Sequence, residues 1–126
     1  YQPHPVAVKE QKSATVLLLP LRKEPEYRAV LPGKLFEYLA AARPVLGIGQ
    51  TDGAMAMILE ETKAGTVADW DDYRSIAEFI DSCWQHFKKD DTYIPSEDIS
   101  RFSRKALTAR MASLMDELTK QEANEK

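Results

Sequence analysis

At 126 residues, with 44% hydrophobic and 29% charged residues, the chain has the composition of a single globular domain that buries a real core. A net charge of −3 and a pI near 5.4 exclude a nucleic-acid binder that relies on a broad basic surface. A lone cysteine, Cys83, rules out an internal disulfide, no Cys/His cluster has metal-ligand spacing, and no apolar run reaches membrane-spanning length, so the expected compartment is the cytoplasm.

The chain enters on Tyr1-Gln2-Pro3-His4-Pro5, an extended stretch in which His4 reads as an exposed loop residue. Val6 to Lys12 predicts a short helix. Residues 14–20 (ATVLLLP) form a continuous apolar run closed by a proline, the pattern of a strand covered on both faces in a parallel sheet. Leu21 to Val30 is a charged loop leaving the carboxyl end of that strand, the edge where open α/β sheets bind ligands. Its Arg22, Lys23 and Arg28 either meet an anion or merely keep the loop solvated.

A helix then runs from Pro32 to Ala42, with Leu35, Phe36, Leu39 and Ala40 as its apolar stripe. Lys34 lies in its first turn, where the helix dipole favours anions, and Glu37 follows three residues later on the same side. A cation beside a helix N-terminus, with a carboxylate one turn along, suits a ligand carrying phosphate and hydroxyl groups. The competing reading is an exposed intrahelical ion pair of little energetic weight. Pro44 to Ile48 is a second buried strand, and Gly47, Gly49 and Gly53 surround a turn that lacks the dinucleotide spacing.

Asp52 is the expected N-cap of a helix over 53–63, and Gly65 its C-terminal cap. Residues 66–70 predict a third strand, with Trp70 as a partly buried anchor. Asp71 or Asp72 caps a helix from Tyr73 to about Lys88, whose stripe of Ile76, Phe79, Ile80, Cys83, Trp84 and Phe87 is expected to be buried. Within that stripe Cys83 reads as a small core residue. After a polar break at 88–92, a final helix starts at Ser96 or Asp98, with Ile99, Phe102, Ala106, Leu107, Met111, Leu114 and Leu118 on one face and a frayed end from Gln121.

Strands alternating with helices imply right-handed crossovers and a parallel sheet. The expected fold is therefore α/β: a Rossmann-like three-layer α/β/α domain with a partial parallel sheet of about three strands. The apolar first strand calls for something to cover its free edge, either a preceding segment or a second copy of the chain.

Three stretches carry a family resemblance: the strand at 14–20, LPGKLFEYLAAARPVL from Leu31 to Leu46, and ILEETKAG from Ile58 to Gly65. Residues 100–107 (SRFSRKAL) and 1–4 (YQPH) add supporting pattern. Together they resemble the C-terminal, donor-binding domain of a nucleotide-sugar glycosyltransferase of the GT-B fold, of the retaining group 1 type. The resemblance implies that residues 1–126 form one truncated C-terminal domain of a two-domain enzyme. Its substrate would be a nucleotide diphosphate-sugar, with no cofactor, no metal-ligating residue and no nucleic-acid partner assigned and the need for a metal left open, in a setting of polysaccharide biosynthesis.

By the same resemblance Glu37 hydrogen-bonds the ribose, and Leu31, Pro32, Gly33 and Lys34 form the turn that meets the diphosphate, with Arg28 near it. Tyr1 and Gln2 would lie near the nucleobase. Where the family carries a second glutamate, eight residues before the ribose-binding one, this chain has Ala29. No acid or base for an acceptor is identified, so the catalytic residues stay unassigned and the chain alone is expected to be inactive. Its own N-terminal domain is the implied partner, with peripheral membrane association of the full-length enzyme and a homodimer both left open. Two other classes stay open as well: a non-catalytic α/β module that pairs through its sheet edge, and a nucleotide-sugar epimerase of the same fold.

Overall fold

The computed structural model describes residues 2–89 and 99–125. Ten elements follow one another: helix α1 (His4–Ser13), strand β1 (Leu17–Pro20), a 3-10 turn (Pro25–Ala29), α2 (Gly33–Ala41), β2 (Val45–Ile48), α3 (Ala54–Glu61), β3 (Gly65–Ala68), α4 (Tyr73–Lys88), a second 3-10 turn (Ser100–Phe102) and α5 (Arg104–Glu125). The three strands form one open parallel sheet in the order β1-β2-β3. The expected α/β class, strand alternation and parallel pairing are all present.

The register puts Leu17, Val45 and Gly65 in one row and Leu19, Gly47 and Val67 in another. On this face the sheet meets α2 and α3, whose Leu35, Leu39, Met55 and Leu59 are at most 2% exposed. Gly47 is needed here because a Cβ at this position would come within 2.8 Å of both Met55 and Val67. Thr62, also fully buried, donates its hydroxyl to Ile58 O at 2.7 Å, and this bond offsets the cost of burying a polar group in the packed layer.

The opposite face is only half covered. Leu46 and Ala68 are buried there with Cys83 of α4, and this small layer stands apart from the main core. Leu18, beside Leu46 in the register, is 56% exposed. β1 therefore alternates buried and exposed, and the expectation of a strand covered on both faces fails for a simple reason: among the described residues α4 packs mainly against β3, at the other side of the sheet, and leaves Leu18 exposed. The strand is also shorter than the apolar run, because α1 extends to Ser13 and Ala14 closes it.

Several local expectations are corrected. His4 stands in the first turn of α1, with Pro3 as N-cap and Pro5 inside the first turn, where a missing N–H costs nothing. Gly53, rather than Asp52, is the N-cap of α3 and makes no side-chain cap. Gly65 opens β3 instead of closing α3: a Cβ there would lie 1.8 Å from the carbonyl oxygen of Val45, so only glycine lets β2 and β3 pair at this point. The turn after α3 is made by Lys63 at φ 51°. In α4 only Cys83 is buried, with Ile80, Trp84 and Phe87 about half exposed.

Asp72 caps α4 as expected, accepting from Ser75 N at 3.1 Å. The bonds from Ser75 hold the Asp72 carboxyl below its ordinary range. The cap positions Ser96 and Asp98, proposed for the last helix, lie outside the described residues; α5 is capped instead by Ser103, whose hydroxyl accepts from Ala106 N at 3.1 Å. Ile99 and Phe102 pack on the core, but no residue of α5 is buried, and the helix continues to Glu125. The apolar face expected here is therefore largely exposed, and the expected fraying from Gln121 is not seen up to Glu125.

Candidate functional site

The carboxyl edge of the sheet is where the three strand-leaving loops meet, and side chains tie them together. Trp70 Nε1 donates to Leu21 O at 2.8 Å, joining the loop after β3 to the loop after β1. Lys23 pairs with Asp71 at 3.3 Å and lies over the Trp70 ring at 5.9 Å. Arg28 is paired with Asp52, and Gln50 Nε2 donates to Glu24 O at 3.4 Å, joining the loops after β1 and β2. The Arg28 carbonyl approaches Gly53 so closely that a Cβ there would sit 2.9 Å from it. Trp70 is thus the partly buried anchor expected of it.

These ties give most of the loop cations a partner within the edge. Arg22 is held above its ordinary value, first by a hydrogen bond with Tyr27 and then by the charges of Tyr27 and Glu24. With Lys23 on Asp71 and Arg28 on Asp52, the loop's basic groups stitch the edge together, each pair being exposed and individually weak. Lys34, by contrast, is exposed and has no hydrogen-bond or ion-pair partner among the described residues.

Helix α2 starts at Gly33, with Pro32 as N-cap in extended conformation and no side chain closing its first turn. The turn is open to approach: nothing lies within 4 Å of where a Gly33 Cβ would be. Leu31 beside it is 42% exposed. An N-terminus without a side-chain cap, beside a lysine with no partner among the described residues, is a favourable place for an anion.

One turn further, Glu37 is exposed and does not pair with Lys34; it accepts from Gln11 Nε2 of α1 at 3.3 Å. The helix-surface ion pair considered from the spacing therefore does not form. Glu37 instead borders a groove of about 200 Å³ between α1 and α2, lined by His4, Val8, Gln11, Lys12, Ala40 and Ala41. Arg43 Nε donates to Lys12 O at 2.7 Å, tying the end of α1 to the turn after α2.

The structure brings Leu31, Pro32, Gly33, Lys34 and Glu37 onto one helix and its approach, and places exposed Gln2 at the entry to α1, two residues before the groove residue His4. Arg28 belongs to the loop-stitching pair with Asp52. Tyr1 lies outside the described residues. The sequence predicts this helix only from Val6, which leaves His4 outside it; with α1 starting at His4, residues 4, 8, 11 and 12 fall on one face at helical spacing.

Cys83 is buried, and burial pushes its thiol up, which fits a core residue and not a nucleophile. Among the described residues no group of three or more His, Cys, Asp or Glu is placed to hold a metal ion, and no helix is long and apolar enough to cross a membrane. Comparison with protein-family models, with curated proteins and with solved structures finds no match to this chain.

Proposed function

We propose that this chain holds the donor of a glycosyltransferase, binding a nucleotide diphosphate-sugar along the open side of α2. The observation that carries the reading is the contrast between paired and unpaired charges. The loop cations Lys23 and Arg28 have partners within the edge, while Lys34, at an open helix N-terminus one turn from Glu37 and its groove, has none among the described residues.

In this reading the diphosphate takes the Gly33–Lys34 turn, where charge-assisted hydrogen bonds and free N–H groups both favour it. The ribose hydroxyls donate to Glu37, taking the place of the Gln11 amide, and the adjoining ring occupies the α1–α2 groove. Arg28 is left to its structural pair with Asp52. When the bond from the anomeric carbon to the diphosphate breaks, negative charge grows on the leaving oxygen, and the same turn stabilises it. The acceptor and any general base belong to a second domain in this reading. With Ala29 where the family carries a glutamate, the chain offers no carboxylate at that position for the donor sugar.

Titration calorimetry with UDP, GDP and UMP tests the proposal. Binding that prefers a diphosphate, and that falls by roughly tenfold or more in Lys34→Ala and in Glu37→Ala, is the expected result for hydrogen bonds to charged groups. No nucleotide binding, or binding indifferent to both substitutions, overturns it. The bare β1 edge, with Leu18 56% exposed, keeps a second reading in play, a non-catalytic module that pairs through its sheet. That reading expects Leu18→Asp to abolish self-association and nucleotides to have no effect.

A further inference from the structure

Helix α5 is anchored at its base and exposed along its length. Arg101 Nη2 bonds Glu61 at 2.9 Å and the Phe102 ring packs 5.9 Å from Phe36, fixing the entry to the helix on the domain. From Leu107 to Glu125 every residue is exposed, a length of about 28 Å at 1.5 Å per residue. Leu107, Met111, Leu114 and Leu118 are 47 to 65% exposed and recur at steps of four, three and four, the spacing of a coiled-coil seam, with Met115 at 62% widening it.

The charges on this helix run against its own dipole. Arg104, Lys105 and Arg110 fill the N-terminal half, while Asp116, Glu117, Glu122 and Glu125 dominate the C-terminal half, with Lys120 the exception. A lone helix is stabilised by the opposite arrangement. Two copies laid antiparallel satisfy it, because each basic half then faces an acidic half.

We propose that α5 is a self-association element that pairs antiparallel with α5 of a second copy of this chain. Two-fold symmetry sets Met111 against Leu114 of the partner and Leu107 against Leu118 of the partner. The flanking positions then place Arg110 beside Glu117 of the partner, twice per dimer. A parallel pairing brings Glu117 against Glu122 of the partner and stacks like-charged halves, so the charge order selects the antiparallel form. The element is independent of the nucleotide site on α2.

Sedimentation equilibrium of the full chain, with circular dichroism to confirm that each variant is folded, tests the pairing. The expected result is a reversible monomer–dimer equilibrium. Arg110→Glu and Glu117→Arg each weaken the dimer by roughly tenfold or more, since each juxtaposes like charges twice. The combined exchange, Arg110→Glu with Glu117→Arg, restores dimerisation, which only self-pairing of α5 in this register predicts. Met111→Asp abolishes it. A chain monomeric at every concentration, a dimer unaffected by the single reversals, or a double variant as weak as the singles overturns the proposal.

Discussion

Helices α2 and α5 both carry an apolar stripe at helical spacing, and they end in opposite environments. Leu35 and Leu39 of α2 are 0% and 2% exposed, whereas Leu107, Met111, Leu114 and Leu118 of α5 are about half exposed or more. The difference lies in what the chain places beside each helix. α2 connects two paired parallel strands, and a crossover helix has to return over the sheet it joins. α5 follows the last strand and its helix, and no topological rule returns it to the sheet. Periodicity identifies a face that needs a partner; connectivity decides whether the partner is in the same fold.

The largest effect that would break this contrast lies at the strand pairing on which the α2–α3 side depends. Gly65→Ala sets a Cβ against the Val45 carbonyl, a clash with backbone that no side-chain movement relieves. We expect a loss of about 3 kcal/mol or more, with a cooperative fall in the urea midpoint. A change within about 0.5 kcal/mol would mean that the β2–β3 register is not as described.

Next in size is a matched pair of truncations. Leu59→Ala removes a fully buried side chain and is expected to cost about 3 kcal/mol. Leu114→Ala, 54% exposed, is expected to change the unfolding of the monomer by no more than about 0.5 kcal/mol. Both are read by denaturant unfolding at concentrations where the chain is monomeric. Equal losses at the two sites would show that α5 packs on its own domain.

The same contrast explains how far the sequence could be read. The α/β order was legible because the short apolar runs LLLP and VLGI have strand length and the intervening LFEYLA stripe has helical spacing. The role of Gly65 was not, because a requirement for glycine set by a neighbouring strand's carbonyl leaves no local mark, while a glycine after a helix looks like a cap. β1 misled for a related reason: LLL records hydrophobicity, not which edge of the sheet is left bare. At the site, Lys34 and Glu37 stood out as charges in the wrong places, yet Gln11, the partner of Glu37, is 26 residues away and belongs to a helix whose first turn was hidden by two prolines.

A smaller, pH-dependent effect comes from the cap of α4, the helix that covers the second face. The Asp72 carboxyl is held below its ordinary range, mainly by the bonds from Ser75. A depressed carboxylate stabilises the fold above its unfolded pKa, and that contribution is lost as pH falls through the lower, folded value. Melting curves of the native chain should therefore drop on acidification through the carboxylate range more steeply than those of Asp72→Ala, which lacks the group. Parallel curves would show that the cap does not contribute. Because α4 carries Cys83 of the small second layer, the near-ultraviolet signal of Trp84 on the same helix should report the loss.

The smallest expected effect is a gain. Ala42 ends α2 in the left-handed region, at φ 54° and ψ 43°, where its N–H closes the helix on Leu39 O at 3.2 Å. A residue with a Cβ pays about 1 kcal/mol or more to sit there, and glycine does not. Ala42→Gly relieves that strain but frees the unfolded chain by about half as much, leaving a net stabilisation of about 0.5 kcal/mol. For a domain of this size that is a rise of about 2 to 3 °C in Tm. The gain belongs to the packed side of the comparison, because the turn at Ala42 delivers Val45 into the sheet at 0% exposure. A mid-helix glycine in α5, such as Ala112→Gly, is expected to lower helicity by circular dichroism without moving the Tm of the domain. If the two substitutions moved the Tm alike, the packed domain and the exposed helix would be one cooperative unit rather than two.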